Sequence, residues 1–288
     1  MSVDKLQEKI RKLKNPSVLD LRVSAEQIPP HLLENASSYA AAYRSYCEAL
    51  LEELKEIVPA VRFSFNSFAL MGPEGLEMLP VMLEQAKEKG YYVLLDGPES
   101  FSKTAAQMAS EVVMALACDS VVLSAYVGSD CLKPYIQKLK DSEKSLFMVL
   151  RSANKSASEL QELMTGSRLM YMAAADVANR LGEPIMGRWG YSMIGGVGAA
   201  TSADSLRALR GKYKGMFLLV DGYDYPNANA KNCSLAFDKL GHGAIVCAGR
   251  TITGAWAAEG DDGTHYAQLA VQAAERMKKN LLRYITVL

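Results

Sequence analysis

Eight short apolar runs, each followed by a stretch of helical period, constrain this chain more than any other feature. The runs are "SVLDL" (17–21), "AVRFSFN" (60–66), "YYVLLD" (91–96), "SVVLSA" (120–125), "LFMVLR" (146–151), "MIGGVGA" (193–199), "MFLLVDG" (216–222) and "AIVCAG" (244–249). They are apolar nearly throughout rather than alternating, as parallel strands are when both faces of their sheet are covered. Helical patterns fill the intervals: 34–57, "EGLEMLPVMLEQAKEK", "TAAQMASEVVMAL", stretches from about Ser129 and from Ala157, "ADSLRALRGKY", "AKNCSLAFDKL" and a C-terminal helix. There is no linker, low-complexity tract or second regime of composition. Eight such units predict an α/β fold, a single (β/α)8 TIM barrel over residues 1–288, and that length is ordinary for the fold. The longest irregular segment expected is "GEPIMGRWGYS", ahead of the sixth strand.

Composition narrows the function classes. The 32 basic residues balance 32 acidic ones, so no global field draws nucleic acid or an anionic membrane. No apolar run is long enough to span a bilayer, and the charged "MSVDKLQEKIRKLKNPS" lacks the apolar centre of a signal peptide. The five cysteines form no CxxC pair and are odd in number, which fits reduced thiols in a cytoplasm. HExxH, GxSxG and spaced carboxylate–histidine clusters are absent from the sequence, so neither a metal nor a serine nucleophile is expected. None of His31, His242 and His265 falls at the end of a strand, which assigns them structural or surface roles.

Barrels of this class bind ligands at the C-terminal ends of their strands. Those ends carry Asp20 with Arg22, Ser64 with Asn66, Asp96, Ser124, Arg151 with Ser152 and Asn154, Asp221 with Asp224, and Arg250; Arg62 lies further back in its strand. Four arginines on one face predict an anionic ligand, because guanidinium forks match phosphate and carboxylate. "IGGVGAAT" (194–201) is a glycine-rich strand end entering a helix, where backbone amides cradle phosphates or where glycines simply allow close packing. "CAGRTI" (247–252) adds an arginine after the last strand, where such barrels often complete a phosphate site. Together they predict phosphate contacts from Gly196, Gly198, Thr201, Gly249 and Arg250. Asp96 closes an apolar strand, where a carboxylate is costly unless it is paired, hydrated or functional. "DGYDYPNANAKN" (221–232) is rich both in groups that bind sugars and bases and in ordinary turn residues.

The order and spacing of these blocks resemble the orotidine 5'-phosphate decarboxylase family, in its longer bacterial branch. The resemblance runs through "NPSVLDL", "IPPHLLE", "IVPAVRFS", "AKEKGYYVLLD", "AYVGSDCLKPYI", "RSANKSASELQEL", "WGYSMIGGVGAATSADSLRALR", "FLLVDGYD" and "GHGAIVCAGRTI". It implies a homodimeric barrel of pyrimidine nucleotide metabolism, a carboxy-lyase that needs no cofactor and binds a phosphorylated nucleotide. The family's signature is D-x-K-x-x-D on the third strand, preceded by a lysine on the second. Aligned on Asp96, this chain has Pro98 at the catalytic lysine, Phe101 at the aspartate that reaches across the dimer, and Arg62 at the second-strand lysine. Arg22 is placed at the ribose-contacting aspartate of G-L-D-P-R, Ala153 at the serine of T-S-N, Ala199 at a phosphate-loop glycine and Pro226 at a phosphate glutamine; Arg250 keeps the phosphate arginine. The resemblance therefore implies Asp96 and Arg62 as catalytic candidates and Arg22, Arg151, Ser152, Asn154, Asp221 and Asp224 as substrate contacts. The family's reaction is expected to be lost or rebuilt. Lys103, five residues past Pro98, is the nearest replacement acid.

Overall fold

The computed structural model describes residues 1–287. Eight parallel strands close into a barrel: β1 (Ser17–Asp20), β2 (Ala60–Ser64), β3 (Tyr92–Asp96), β4 (Ser120–Ser124), β5 (Ser145–Val149), β6 (Ile194–Ala199), β7 (Leu218–Asp221) and β8 (Ala244–Ala248). They neighbour one another in sequence order, and β8 closes on β1 through Ser17 opposite Val246. The expected (β/α)8 architecture is what forms, with all eight strands where the apolar runs lie.

Two apolar cores result. Val18, Ala60, Tyr92, Phe147, Phe217 and Ile245 fill the barrel interior, while a larger layer, including Leu50, Leu83, Leu206 and Leu281, packs between strands and helices. An N-terminal helix, Ser2–Leu13, closes the bottom of the barrel by inserting Val3, Leu6 and Ile10, all buried. Its polar residues are also used: the Asp4 carboxylate accepts the amides of Arg188 and Trp189, and Gln7 Oε1 accepts that of Gly243.

Local chemistry shifts several expected boundaries. The helix expected over 34–57 divides into Pro30–Asn35 and Tyr39–Leu54, the second capped by Ser38, whose hydroxyl accepts the Ala41 amide at 3.0 Å. β2 stops at Ser64 because Ser64 caps a short helix over Phe65–Leu70. The helix expected from Ala157 is only Ala157–Leu160; a two-stranded hairpin over 164–169 intervenes before the long helix Met170–Gly182. Gly166, at φ +64°, makes that turn, a conformation that other residues resist. After β7 the helix is reduced to Ala230–Ser234. Among the described residues no helix is long and apolar enough to cross a membrane.

Candidate functional site

The mouth of the barrel holds an interlocked set of charges. β1 ends on Asp20, β3 on Asp96 and β7 on Asp221; the ladder register sets Asp20 beside Arg62 of β2, and Asp96 beside Ser64 at the same level. Arg62, 3% exposed, lies between the other two acids: its Nε donates to Asp96 Oδ1 at 2.7 Å, Nη2 to Asp96 Oδ2 at 3.1 Å and Nη1 to Asp221 Oδ2 at 3.0 Å. Arg22 lies over the same acids. Its Nε donates to Asp20 Oδ1 at 2.9 Å and its Nη2 to Asp20 Oδ2, with Nη1 3.3 Å from Asp96 Oδ2 and Nη2 3.3 Å from Asp221 Oδ1. Two guanidinium groups thus hold three carboxylates, and an incoming anion meets a cluster with more acids than bases.

The four arginines do not converge as expected. Arg151 turns to Glu162, at 2.8 Å, and donates to Thr201 Oγ1 at 3.1 Å, while Arg250 pairs with Glu26 at 3.2 Å. Each cation has found an acid within its own sector of the rim: for Arg151, 10% exposed, an unpaired charge would be costly, whereas the Arg250–Glu26 pair lies in solvent.

Titration follows this geometry. Burial by itself would lower Arg62, but the carboxylates of Asp96 and Asp221 outweigh it and hold the guanidinium more firmly protonated than usual. Burial raises the Asp96 carboxyl, and Arg62 and Arg22 only partly offset it. At Asp221 burial pushes the same way, but the two guanidinium groups and the Gly222 amide win and bring it down to about 2. Cys247 Sγ lies 3.5 Å from Asp20 Oδ2, and burial, reinforced by that carboxylate, keeps the thiol protonated. Asp20, Asp221 and Cys247 bring ligand atoms within 4.8 Å of one another, as a metal site would. Arg22 and Arg62 already occupy the carboxylate lone pairs that a metal ion would need.

Pro98, which the resemblance sets at the family's lysine, has no side-chain proton to supply. Lys103 is the first residue of the helix Lys103–Ala115, capped by Ser102, and its side chain is exposed; among the described residues it joins none of the ion pairs of the cluster. Sequence reading passed over Glu99 here and named Asp20 without giving it a role. Glu99, in the loop after β3, has its carboxyl raised by partial burial and by the charge of Asp96, despite the Ser124 backbone bond that lowers it. Asp20 is the other: it is the residue that closes β1, and "VLDLR" keeps both the aspartate and the arginine of G-L-D-P-R when Asp20 takes the aspartate position. This corrects the placement of Arg22 there.

The expected phosphate residues divide. Gly196 and Gly198 lie within β6; the Gly196 amide donates to Phe217 O at 2.9 Å, and a Cβ on Gly196 would sit 2.5 Å from a Leu150 methyl. Their close packing accounts for them. Thr201 sits just past β6, donating to Ala153 O, and belongs with Arg151. In that sector Gln161 Oε1 accepts from Ser152, and Asn154 bonds the Ser156 hydroxyl. Gly249 and Arg250 line a cleft of about 410 Å³ with Asp20, Arg22, Gln27, Asp224, Tyr225 and Pro226. Within it the Asp224 carboxylate accepts the amides of Gly249 at 2.8 Å and Thr251 at 2.7 Å. A side-chain carboxylate already occupies the amides expected for phosphate.

His242 is buried edge-on to Trp189, and His265 bonds Asp261, so both lie away from the mouth as expected. His31 packs toward Tyr266.

Comparison with known proteins connects this site to a lineage. The chain is 27% identical to the orotidine 5'-phosphate decarboxylase of Clostridium kluyveri and 26% to that of Petrotoga mobilis, with 98% of each chain covered in both cases. The fold matches that of the Leishmania donovani OMP decarboxylase with a TM-score of 0.71 at 22% identity, covering 98% of both chains. It also matches the orotidine 5'-monophosphate decarboxylase of Methanocaldococcus jannaschii, complexed with the inhibitor BMP, with a TM-score of 0.64 at 14% identity, covering 91% of this chain and 98% of that one. The Orotidine 5'-phosphate decarboxylase / HUMPS family matches residues 101–259, more than half of the sequence. On that match the chain belongs to the orotidine 5'-phosphate decarboxylase / HUMPS family.

Proposed function

We propose that this protein binds a pyrimidine nucleotide at the barrel mouth without decarboxylating it by its family's mechanism. One observation carries the reading: Arg62 and Arg22 are locked onto Asp20, Asp96 and Asp221, and no lysine joins them. Decarboxylation leaves an electron pair on carbon that a cation must stabilise and a proton must quench. Arg62 supplies positive charge, but a guanidinium with a pKa above ~12 does not release its proton. Each ~1.36 kcal/mol of transition-state stabilisation forfeited costs about tenfold in rate.

The open cleft between Gly249, Arg250 and Tyr225 is the natural seat for the ligand, with Arg250 on its phosphate once Asp224 gives way. Ser152, Asn154 and the Arg151 cluster stand on the opposite rim for the base. A second copy of the chain covers Phe101, which is 79% exposed, and the exposed Met108 and Val112, which share one face of the helix Lys103–Ala115. Five free, buried thiols support a reducing compartment such as the cytoplasm.

A second reading, a different reaction on a phosphorylated ligand, draws on the carboxyls of Asp96 and Glu99, both raised chiefly by burial, which makes each a readier proton holder than an exposed carboxyl. Single-turnover mixing of excess protein with orotidine 5'-phosphate, followed by pyrimidine absorbance, separates the cases. The proposal expects a flat trace together with a melting temperature raised by uridine 5'-monophosphate. Turnover that disappears in Asp96→Asn refutes it.

A further inference from the structure

Outside the barrel mouth lies a second cleft of about 410 Å³, between the loop after β7 and the end of the C-terminal helix Tyr266–Leu282. Its walls include Tyr223, Asn229, Lys231, Asn280, Arg283 and Tyr284. We propose that this cleft is an accessory site for a phosphomonoester dianion, distinct from the mouth.

Three features point to an anion. First, Lys231 and Arg283 approach it from different elements, and among the described residues neither forms an ion pair. Second, none of the residues that line the cleft is acidic, so the two cations meet no counter-charge within it. Third, the remaining walls are amide and phenol groups. Asn229 and Asn280 bring side-chain amides to the cleft, and Tyr284, 54% exposed, offers a ring face. A guanidinium fork and an ammonium are the usual partners of phosphate oxygens, and the ring suits whatever the ester carries.

The cleft also adjoins the mouth through a single loop. Tyr223 lines the outer cleft, and the next residue, Asp224, holds the amides of Gly249 and Thr251 in the inner one.

Calorimetric titration of the full chain with inorganic phosphate at low ionic strength, in an Arg250→Gln background that removes the phosphate cation of the mouth, tests the assignment. In that background Lys231→Gln/Arg283→Gln is expected to weaken binding by about tenfold or more. Arg276→Gln, which removes an ion-paired cation from the same helix, should leave it intact. Binding that survives the loss of Lys231 and Arg283, that falls equally in Arg276→Gln, or that is absent while both cations are present overturns the proposal. Because the background already lacks Arg250, a mouth that binds no nucleotide leaves this result unaffected, and the two readings fail separately.

Discussion

Replacing Arg62 by methionine removes the cation that Asp96 and Asp221 share and puts an unbranched apolar side chain of comparable length in its place. Arg22 is then the only guanidinium facing three carboxylates, two of them about one-fifth exposed. Stranding one side of a buried ion pair typically costs ~3–5 kcal/mol, which in a chain of this size lowers Tm by roughly 6–20 °C. The pH dependence gives the stricter test. In the wild type, the guanidinium groups hold Asp221 at about 2, below its unfolded value near ~3.9, and it contributes roughly 2–3 kcal/mol that is present above pH ~4 and lost as pH falls through 2. Asp96 has the opposite sign: its raised folded value favours the folded state below the unfolded pKa and loses that contribution as pH rises through the folded one. Without Arg62 both carboxyls shift upward, so the variant loses stability with rising pH. The deficit against wild type should therefore be greatest near pH 7.5 and shrink toward pH 4.5. Urea unfolding of both proteins at the two pH values measures it. A deficit within ~1 kcal/mol at pH 7.5, or one that grows on acidification, refutes the account of Arg62 as the counter-charge of the site.

Three further substitutions address other parts of the molecule. Asp224→Ala frees the amides of Gly249 and Thr251, whose hydrogen exchange should accelerate by about tenfold or more; the same variant should bind uridine 5'-monophosphate more tightly than wild type, and weaker binding would make Asp224 a ligand contact instead of a competitor. Tyr92→Phe, at the bottom of the barrel, deprives the hydroxyls of Ser2, Ser120 and Ser145 of their common partner and should cost ~1–2 kcal/mol in denaturant titration, with nucleotide binding unchanged. Met108→Asp puts a charge on the exposed helix face; light scattering behind a sizing column should find monomers for the variant and dimers for wild type, and a monomeric wild type would end the dimer proposal.

The barrel itself is legible in the sequence because a parallel strand covered on both faces must be apolar along its length. "YYVLLD" and "FLLVD" announce themselves without any knowledge of their neighbours, and so do the aspartates that close them. Local breaks are harder to read. Ser64 and Ser38 act through single capping bonds, and the hairpin around Gly166 interrupts a pattern that remains helical on paper. The partnerships at the mouth lie beyond any local reading. Arg62 is 34 residues from Asp96 and 159 from Asp221, and only barrel closure sets them within hydrogen-bonding reach. A list of strand-end arginines therefore describes an anion site, and tertiary structure turns it into a cluster whose cations are already taken. The same applies to Asp224: as a letter it is a turn residue or a sugar contact, and folding puts its carboxylate on the amides after β8. Residue type and strand position are properties of the chain, but charge partnership depends on distances between strands that only closure of the barrel sets.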